Sequence, residues 1–165
     1  MIESYLLESG EDEYKLTLTT DDDAFFGKED VLDLVNHRIE IVEVSLYREK
    51  GTTVTSIKTL MGITDILANY MNRHRDAVLY YYCDEIDFES FRYTKSDWAP
   101  QKYRSQLFSR MFERYTRKYN ITDYCDQEIC IEAFEHVSYM HLISRKENEP
   151  EMDAIVAYLQ ESYGK

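Results

Sequence analysis

The sequence predicts a single α+β domain with a mixed, mostly antiparallel sheet of five to six strands packed by three helices. Alternating and continuous apolar runs indicate the strands, and two long segments repeat apolar residues at helical spacing. The 165 residues are 44% hydrophobic and 14% aromatic, which is enough for one buried core. Because only 5 Gly and 2 Pro interrupt the chain, residues 1–165 are expected to form one domain without long linkers.

The first part of the chain contains two predicted strands. Residues 14–20 alternate apolar and polar side chains, as a half-buried strand does. Residues 21–37 have no clear pattern beyond one short helix. The second strand, 38–47, changes its apolar phase between Ile41 and Val42. This change of phase suggests a β-bulge.

A helix, a strand and a second helix follow. Apolar residues recur at helical spacing from about residue 54 to 73. The continuous apolar run 77–83 predicts a central strand that is covered on both faces. Pro100 suits the first turn of a helix that Asn120 would end. The predicted buried stripe of this helix is Tyr103, Leu107, Met111, Phe112, Tyr115 and Tyr119.

The last part of the chain predicts a hairpin and a terminal helix. Residues 129–134 and 137–144 have strand patterns with a short connection between them. A helix is expected to open at Pro150. Residues 88–99 receive no assignment. Strands and helices in this order indicate a mixed sheet with helices packed on it, which is the α+β class.

The charge of the chain restricts the classes of partner. A net charge of −13 opposes attraction to nucleic acid and to anionic lipid. The first residues lack the pattern of a signal peptide, and no stretch has the length of a membrane helix. We therefore expect a cytoplasmic protein with no membrane partner. Residues 50–120 nevertheless hold 12 basic and 8 acidic side chains, so the middle of the chain is basic.

Neither a metal site nor a catalytic motif is predicted. Three cysteines are an odd number for a disulfide framework, so reduced thiols are expected. Cys125, Cys130, His136 and His141 lack the Cys-x-x-Cys spacing of a zinc site. The motifs Gly-x-Ser-x-Gly, P-loop and His-Glu-x-x-His are also absent from the sequence. We therefore predict no metal and assign no catalytic residue.

The favoured binding surface is a charged cluster at the end of the central strand. Asp84 and Asp87 follow that strand, and Arg104 lies in the first turns of the helix that starts at Pro100. A guanidinium group matches a carboxylate bidentately, so we expect an ion pair there. With Arg110, these residues would bind an unidentified protein or small molecule. The leading prediction is a binding or accessory module without a cofactor.

A weaker interpretation is that the chain binds a single-stranded nucleic acid. Basic and aromatic residues alternate in 91–98, and Arg110, Arg114 and Arg117 share one face of the following helix. Proteins that bind single strands use this pattern. Because the whole chain is acidic, we instead favour a solvated face whose arginines pair with the acidic flanks. Nucleic acid is therefore an unfavoured partner.

A family resemblance is carried by two segments: Tyr81-Tyr82-Cys83-Asp84 with Asp87 after it, and Arg104-Ser105-Gln106-Leu107-Phe108-Ser109-Arg110. They resemble the signature of an uncharacterised bacterial family. That signature has a Tyr-Tyr-x-Cys-Asp strand end followed by an Arg-x-x-Leu-Phe-x-Arg-Trp helix. Met111 stands where the signature has Trp, and residues 88–99 resemble an insertion. The resemblance implies kinship and a shared fold, and it assigns no function.

A second resemblance is carried by Arg48-Glu49-Lys50-Gly51-Thr52-Thr53, which follows the strand with the phase change. The segment is similar to a loop of the form Arg/Gln-x-x-Gly-x-Gly/Ala, which a bulged strand enters at the start of a helix in the GNAT-type N-acetyltransferases. Arg48, Gly51, Thr52 and Thr53 occupy the corresponding positions, with Thr53 replacing the small last residue. The strand order of that family also resembles the order predicted here. The resemblance implies acetyl-CoA as the cofactor, bound by backbone N–H groups at the helix start. This acyltransferase is the alternative to the binding module.

Overall fold

The computed structural model describes residues 1–20, 28–51, 55–83, 100–133 and 136–163. Within these ranges the chain forms six strands and four α-helices. In chain order they are β1 (Ile2–Ser9), β2 (Asp12–Thr19), α1 (Lys28–Leu34), β3 (Glu40–Lys50), α2 (Ile57–Arg73), β4 (Ala77–Cys83), α3 (Pro100–Lys118), β5 (Tyr124–Ala133), β6 (His136–Arg145) and α4 (Glu149–Tyr163).

The strands form one mixed sheet in the order β1-β2-β3-β4-β6-β5. β3 and β4 run parallel and are connected by α2, whereas the other neighbouring strands of the described sheet are antiparallel. A parallel pair needs a crossover connection of this kind, because a short turn cannot return the chain to the same end. The predicted α+β class with a mostly antiparallel sheet is confirmed.

Helices cover both faces of the sheet. One core lies between the sheet and the helices α2 and α3, and the other lies between the sheet and the helices α1 and α4. β4 contributes to both cores: Leu79 and Tyr81 face α2 and α3, while Val78 and Tyr80 face α1 and α4. The prediction of 77–83 as a strand buried on both faces is therefore confirmed.

Strand β1 was not predicted from the sequence. It pairs along its length with β2 through a tight hairpin in which Gly10 has a φ of +64°. As an edge strand it exposes alternate residues, and Ile2 and Leu6 lie on the exposed side with Ser4 and Glu8. Apolar residues therefore occur on both sides of β1. The period-two pattern that would have revealed the strand is absent for this reason.

The phase change in β3 is not a bulge at Ile41 and Val42. Both residues are buried, Ile41 toward α1 and α4 and Val42 toward α2 and α3, because β3 is covered on both faces there. Its pairing with β4 is regular through these positions. The register of β2 and β3 instead shifts between Glu13 and Tyr14, near the end of β3.

The buried face of α3 differs from the predicted stripe. Met111 and Tyr115 are buried as expected, but Tyr119 is 48% exposed. Arg104 and Ser105 are buried instead. α3 ends at Lys118, and the chain then turns through Asn120, whose φ of 51° is the left-handed conformation common at helix ends.

Candidate functional site

The parallel strands β3 and β4 separate before they end, which opens a cleft near their carboxyl ends. Their pairing runs from Glu40 opposite Ala77 to Val44 opposite Tyr81. β3 then continues along β2 as far as Lys50. The point of divergence therefore lies at Val44 and Tyr81. We call this point the fork.

An apolar cavity of about 30 Å³ lies at the fork. A water-sized group needs roughly 10–15 Å³ of such space, so the cavity has room for about two groups of that size. Arg104 contributes a charged side chain to the wall. The apolar part of the wall includes Val44, Leu46, Ile63, Tyr81, Phe108 and Met111.

The amino-terminal end of α2 carries positive electrostatic potential close to the end of β3. The Oγ of Ser56 caps this helix by accepting a hydrogen bond from the Thr59 N–H at 3.1 Å. Nη2 of Arg48 donates to Thr55 Oγ1 at 3.0 Å and to the Tyr14 hydroxyl at 2.6 Å. The first turn of a helix has unsatisfied N–H groups and a partial positive charge. Arg48 adds a full positive charge beside them.

Gly51 directly follows β3 and adopts a conformation that other residues resist. Its φ is +98°, and a Cβ atom there would lie 1.7 Å from Oδ1 and 2.9 Å from Cα of Asp12. Close packing against Asp12 therefore requires glycine at this position. Thr52 and Thr53, which the loop motif also assigns to the cofactor site, lie outside the described residues.

A buried polar cluster connects α3 to β5 and β6. The Oγ of Ser105 lies 2.7 Å from Nε2 of His141, and the Nδ1 of that ring lies 2.9 Å from Oδ1 of Asp126. Ser105 Oγ also donates a short hydrogen bond to Oε2 of Glu128. We call Ser105, His141, Asp126 and Glu128 the polar relay.

The hydrogen bonds of the relay involve both nitrogens of the His141 ring. The Ser105 hydroxyl donates its single proton to Glu128. The same hydroxyl oxygen lies within hydrogen-bond distance of Nε2 of His141, and Nδ1 of that ring lies within hydrogen-bond distance of Asp126. The ring is therefore held at both nitrogens between α3 and β5.

The order of groups in the relay is that of a Ser-His-Asp triad, but the serine is not accessible. Ser105 and His141 are 0% exposed, whereas the side chain of Glu128 is 34% exposed. A nucleophile must contact its substrate, and the proton of Ser105 is held by Glu128. In this structure the relay therefore connects α3 to the sheet.

The relay and the fork lie on one row of the sheet. Val44 pairs with Tyr81, Tyr81 with His141, and His141 with Glu128 across neighbouring strands. The Phe108 ring stacks on Tyr81 with centroids 4.9 Å apart and lies 5.0 Å from the His141 ring. Because neighbouring strands are about 4.8 Å apart, His141 is one strand away from the fork. The relay fixes α3 over the cavity.

Sequence motifs could not reveal the relay, since Ser105 and His141 are 36 positions apart. Two weak signals were present. A serine occupies the buried face of α3. Asp126 and Glu128 are two positions apart and therefore lie on the same side of β5. Neither signal identifies a partner on another strand. A serine can therefore lie beside a histidine even where the sequence contains no motif that indicates it.

The structure separates the two arginines of the predicted charged surface. Arg104 is 5% exposed and lines the cavity, whereas Arg110 is exposed. Six positions on a helix correspond to a rotation of about 240°, so the two side chains point in different directions. Asp84 and Asp87 lie outside the described residues. The expected pairing of these aspartates with an arginine stays a prediction.

The cysteines are free thiols in different environments. Cys83 is buried, Cys125 half-buried and Cys130 exposed. Burial raises the pKa of Cys83 to about 12 and that of Cys125 to about 11. In the described parts of the chain, no three His, Cys, Asp or Glu side chains are arranged to hold a metal ion.

Comparison with known proteins gives no family assignment. No family model matches the chain. No curated protein matches it either. None of the helices in the described ranges is both long enough and apolar enough to span a membrane. The geometry of the fork and the relay is therefore the basis for a functional proposal.

Proposed function

We propose that this chain binds an acyl-coenzyme A at the fork and transfers its acyl group to an amine. The observation that carries the proposal is the divergence of β3 and β4 at Val44 and Tyr81, beside an apolar cavity and the start of α2. Such a ligand has a polyanionic end and a small apolar end. The start of α2 is the positive end of the site and the cavity is its apolar end, so the two ends of the site match the two ends of the ligand.

The start of α2 suits the pyrophosphate of the coenzyme. Phosphate groups bind at helix amino termini because N–H groups and the helix dipole both face them. Arg48 makes its hydrogen bonds within the described chain through Nη2, which leaves Nη1 available for a phosphate oxygen. Lys58 is exposed in the first turn of α2 and adds a second positive charge.

The cavity at the fork suits the acyl group. Its lining is apolar apart from Arg104, and its volume of about 30 Å³ restricts it to a small group. In the transfer step the amine nitrogen would form an amide bond with the acyl carbon. The carbon–sulfur bond would break, and the coenzyme would leave as a thiol with the proton lost by the amine. An acyl group held rigidly at the fork would be presented for this attack.

The resemblance to the GNAT family supports the same proposal. The parallel pair of β3 and β4 with α2 between them along the chain is the feature that supports it. Arg48 and Gly51 match the loop motif, whereas Thr53 departs from it. Thr53 itself lies outside the described residues. We therefore assign the phosphate contact to Arg48 and the start of α2.

Titration calorimetry with acetyl-CoA tests the binding step. We expect heat of binding with the native chain and at least about tenfold weaker binding for Arg48→Gln, because a charge-assisted contact to phosphate contributes about 1.5–3 kcal/mol. Arg75→Gln is the matched control, since Arg75 is exposed and pairs with Glu147 away from the fork. A native chain that gives no heat would remove the proposal.

A thiol-release assay separates binding from transfer. Acetyl-CoA is incubated with the protein and a panel of small amines, including polyamines and lysine peptides, and free coenzyme thiol is measured. Release that depends on both an amine and Arg48 supports acyl transfer. Binding without release for every amine would instead show an acyl-CoA-binding module, which is the binding class predicted from the sequence.

A further inference from the structure

The described arginines fall into two groups. Most of them contact other groups of the chain. Arg104 is buried in the cavity wall, and Arg48 binds Tyr14 and Thr55. The others of this group form ion pairs, which are Arg38 with Glu151, Arg73 with Glu3, Arg75 with Glu147 and Arg145 with Asp123. Arg110, Arg114 and Arg117 form the second group. No hydrogen bond or ion pair joins these three to another residue of the described chain.

The second group occupies one face of α3. Arg110, Arg114 and Arg117 are exposed, and their i, i+4, i+7 spacing aligns them along a length of about 10 Å. We call them the arginine face. The arginine face lies on the opposite side of α3 from Phe108 and the cavity, since Phe108 is buried against the sheet. Intramolecular pairing with the acidic flanks, which the sequence favoured, does not occur among the described residues.

Among the described residues these three arginines have no ion-pair partner, in a chain that carries 32 acidic side chains and a net charge of −13. Even Glu113, which is exposed on the same helix, makes no ion pair with Arg110 or Arg117. The face therefore presents guanidinium groups whose donors are free to bind carboxylates of another molecule.

We propose that the arginine face docks the acidic face of a helix in a partner protein. Carboxylates at i, i+4 and i+7 of a partner helix repeat the spacing of the three guanidinium groups, and each pair can form two parallel hydrogen bonds. Glu113 between them would repel a partner with a continuous acidic surface and would select one with a basic residue opposite. The partner is thus a protein with a local acidic stripe.

The charge of the whole chain favours a protein over a nucleic acid. Duplex DNA carries one negative charge per ~1.7 Å of its axis, so a body with a net charge of −13 repels it at long range. A partner protein can carry carboxylates on the contact face and be neutral elsewhere. The proposal concerns the outer side of α3 and does not depend on what the fork binds.

Nuclear magnetic resonance titration of the isotope-labelled chain at low salt tests this docking. The probe is an alanine-based helical peptide with three glutamates at i, i+4, i+7, and the control peptide has glutamines there. We expect the amide signals of α3 around the arginine face to move with the glutamate peptide alone. The shifts should disappear when salt screens the charges. No movement at low salt would overturn the proposal.

Two matched triple variants make the test specific. Replacing Arg110, Arg114 and Arg117 with Gln should abolish the shifts. Replacing Arg38, Arg73 and Arg75 with Gln removes the same charge from exposed positions elsewhere and should keep them. Circular dichroism confirms that both variants are folded. Equal binding by the first variant, or tighter binding of a single-stranded oligonucleotide than of the peptide, would overturn the assignment.

Discussion

The hydroxyl oxygen of Ser105 and Nε2 of His141 lie 2.7 Å apart, and this contact joins α3 to β6. Arg104 and Phe108, which lie close to Ser105 along α3, line the cavity at the fork. The polar relay thus holds one wall of the proposed ligand site in place. Because the contact is fully buried, its strength does not depend on surface charges screened by salt.

Removal of the Ser105 hydroxyl is expected to destabilise the chain. Ser105→Ala removes the buried hydrogen bond between Ser105 and Nε2 of His141, which costs roughly 0.5–1.5 kcal/mol of unfolding free energy. Ser109→Ala on the same helix should change it by less than about 0.5 kcal/mol. Urea denaturation measures both. Equal effects of the two changes would show that the relay adds no stability.

Replacement of two glycines separates backbone strain from steric contact. Gly10 and Gly51 both have positive φ, but a Cβ atom at Gly10 meets no atom within 4 Å. Gly10→Ala should therefore cost only the conformational strain, about 1 kcal/mol. Gly51→Ala should cost more, because its Cβ would collide with Asp12. Thermal denaturation of the two variants compares them, and a smaller loss for Gly51→Ala would contradict the described packing.

The cysteines are expected to differ in reactivity. Burial raises the pKa of Cys83 to about 12, and its thiol is inaccessible in the folded chain, whereas Cys130 is exposed. Only thiolates react readily with disulfide reagents. At pH 8 Cys130 should react first, and Cys83 should react only after unfolding. Cys130→Ser should remove the early phase and Cys83→Ser should not. Fast modification of Cys83 in the native protein would argue against its burial.

Acid is expected to weaken the contact between β1 and α2. Hydrogen bonds from Tyr5 and Arg73 hold the pKa of Glu3 below its ordinary value of 4.5. A depressed pKa stabilises the folded state above pH 4.5, and this contribution is lost as the pH falls through the folded value.

Glu3→Gln tests this contribution. The unfolding free energy of the native chain should fall more steeply below pH 4.5 than that of the variant. Chemical denaturation at a series of pH values provides the comparison. Glu8→Gln is the control, since Glu8 lies on the same strand and has an exposed position. Parallel curves for the native chain and Glu3→Gln would show that the hydrogen bonds of Glu3 do not contribute to the pH dependence of the unfolding free energy.

The parts of the fold that were predicted depend on local patterns. Residues 77–83 form β4 with the predicted bounds because a strand buried on both faces needs a continuous apolar run. α2 and α3 follow the helical spacing of their apolar residues. β1 was missed because an exposed edge strand tolerates apolar residues on either side.

The candidate site was predicted only in part, since it is built from distant residues. Arg48 and Gly51 could be proposed from a loop motif that stays within six positions. The relay could not, because Ser105, His141 and Glu128 meet only after β5 and β6 pair beside β4. The arginine face was identified from its spacing, but only the structure shows that the acidic flanks do not neutralise it among the described residues.

The position of β6 between β4 and β5 has a consequence for the order of folding. β5 and β6 form a hairpin from neighbouring residues, whereas β6 reaches β4 through pairs such as Leu79 with Ile143, which are far apart in the sequence. Contacts of this kind form slowly because a long segment must be closed first. We therefore expect the His141 side of the fork to be completed late. A molecule bound there would stabilise only chains in which the hairpin has docked.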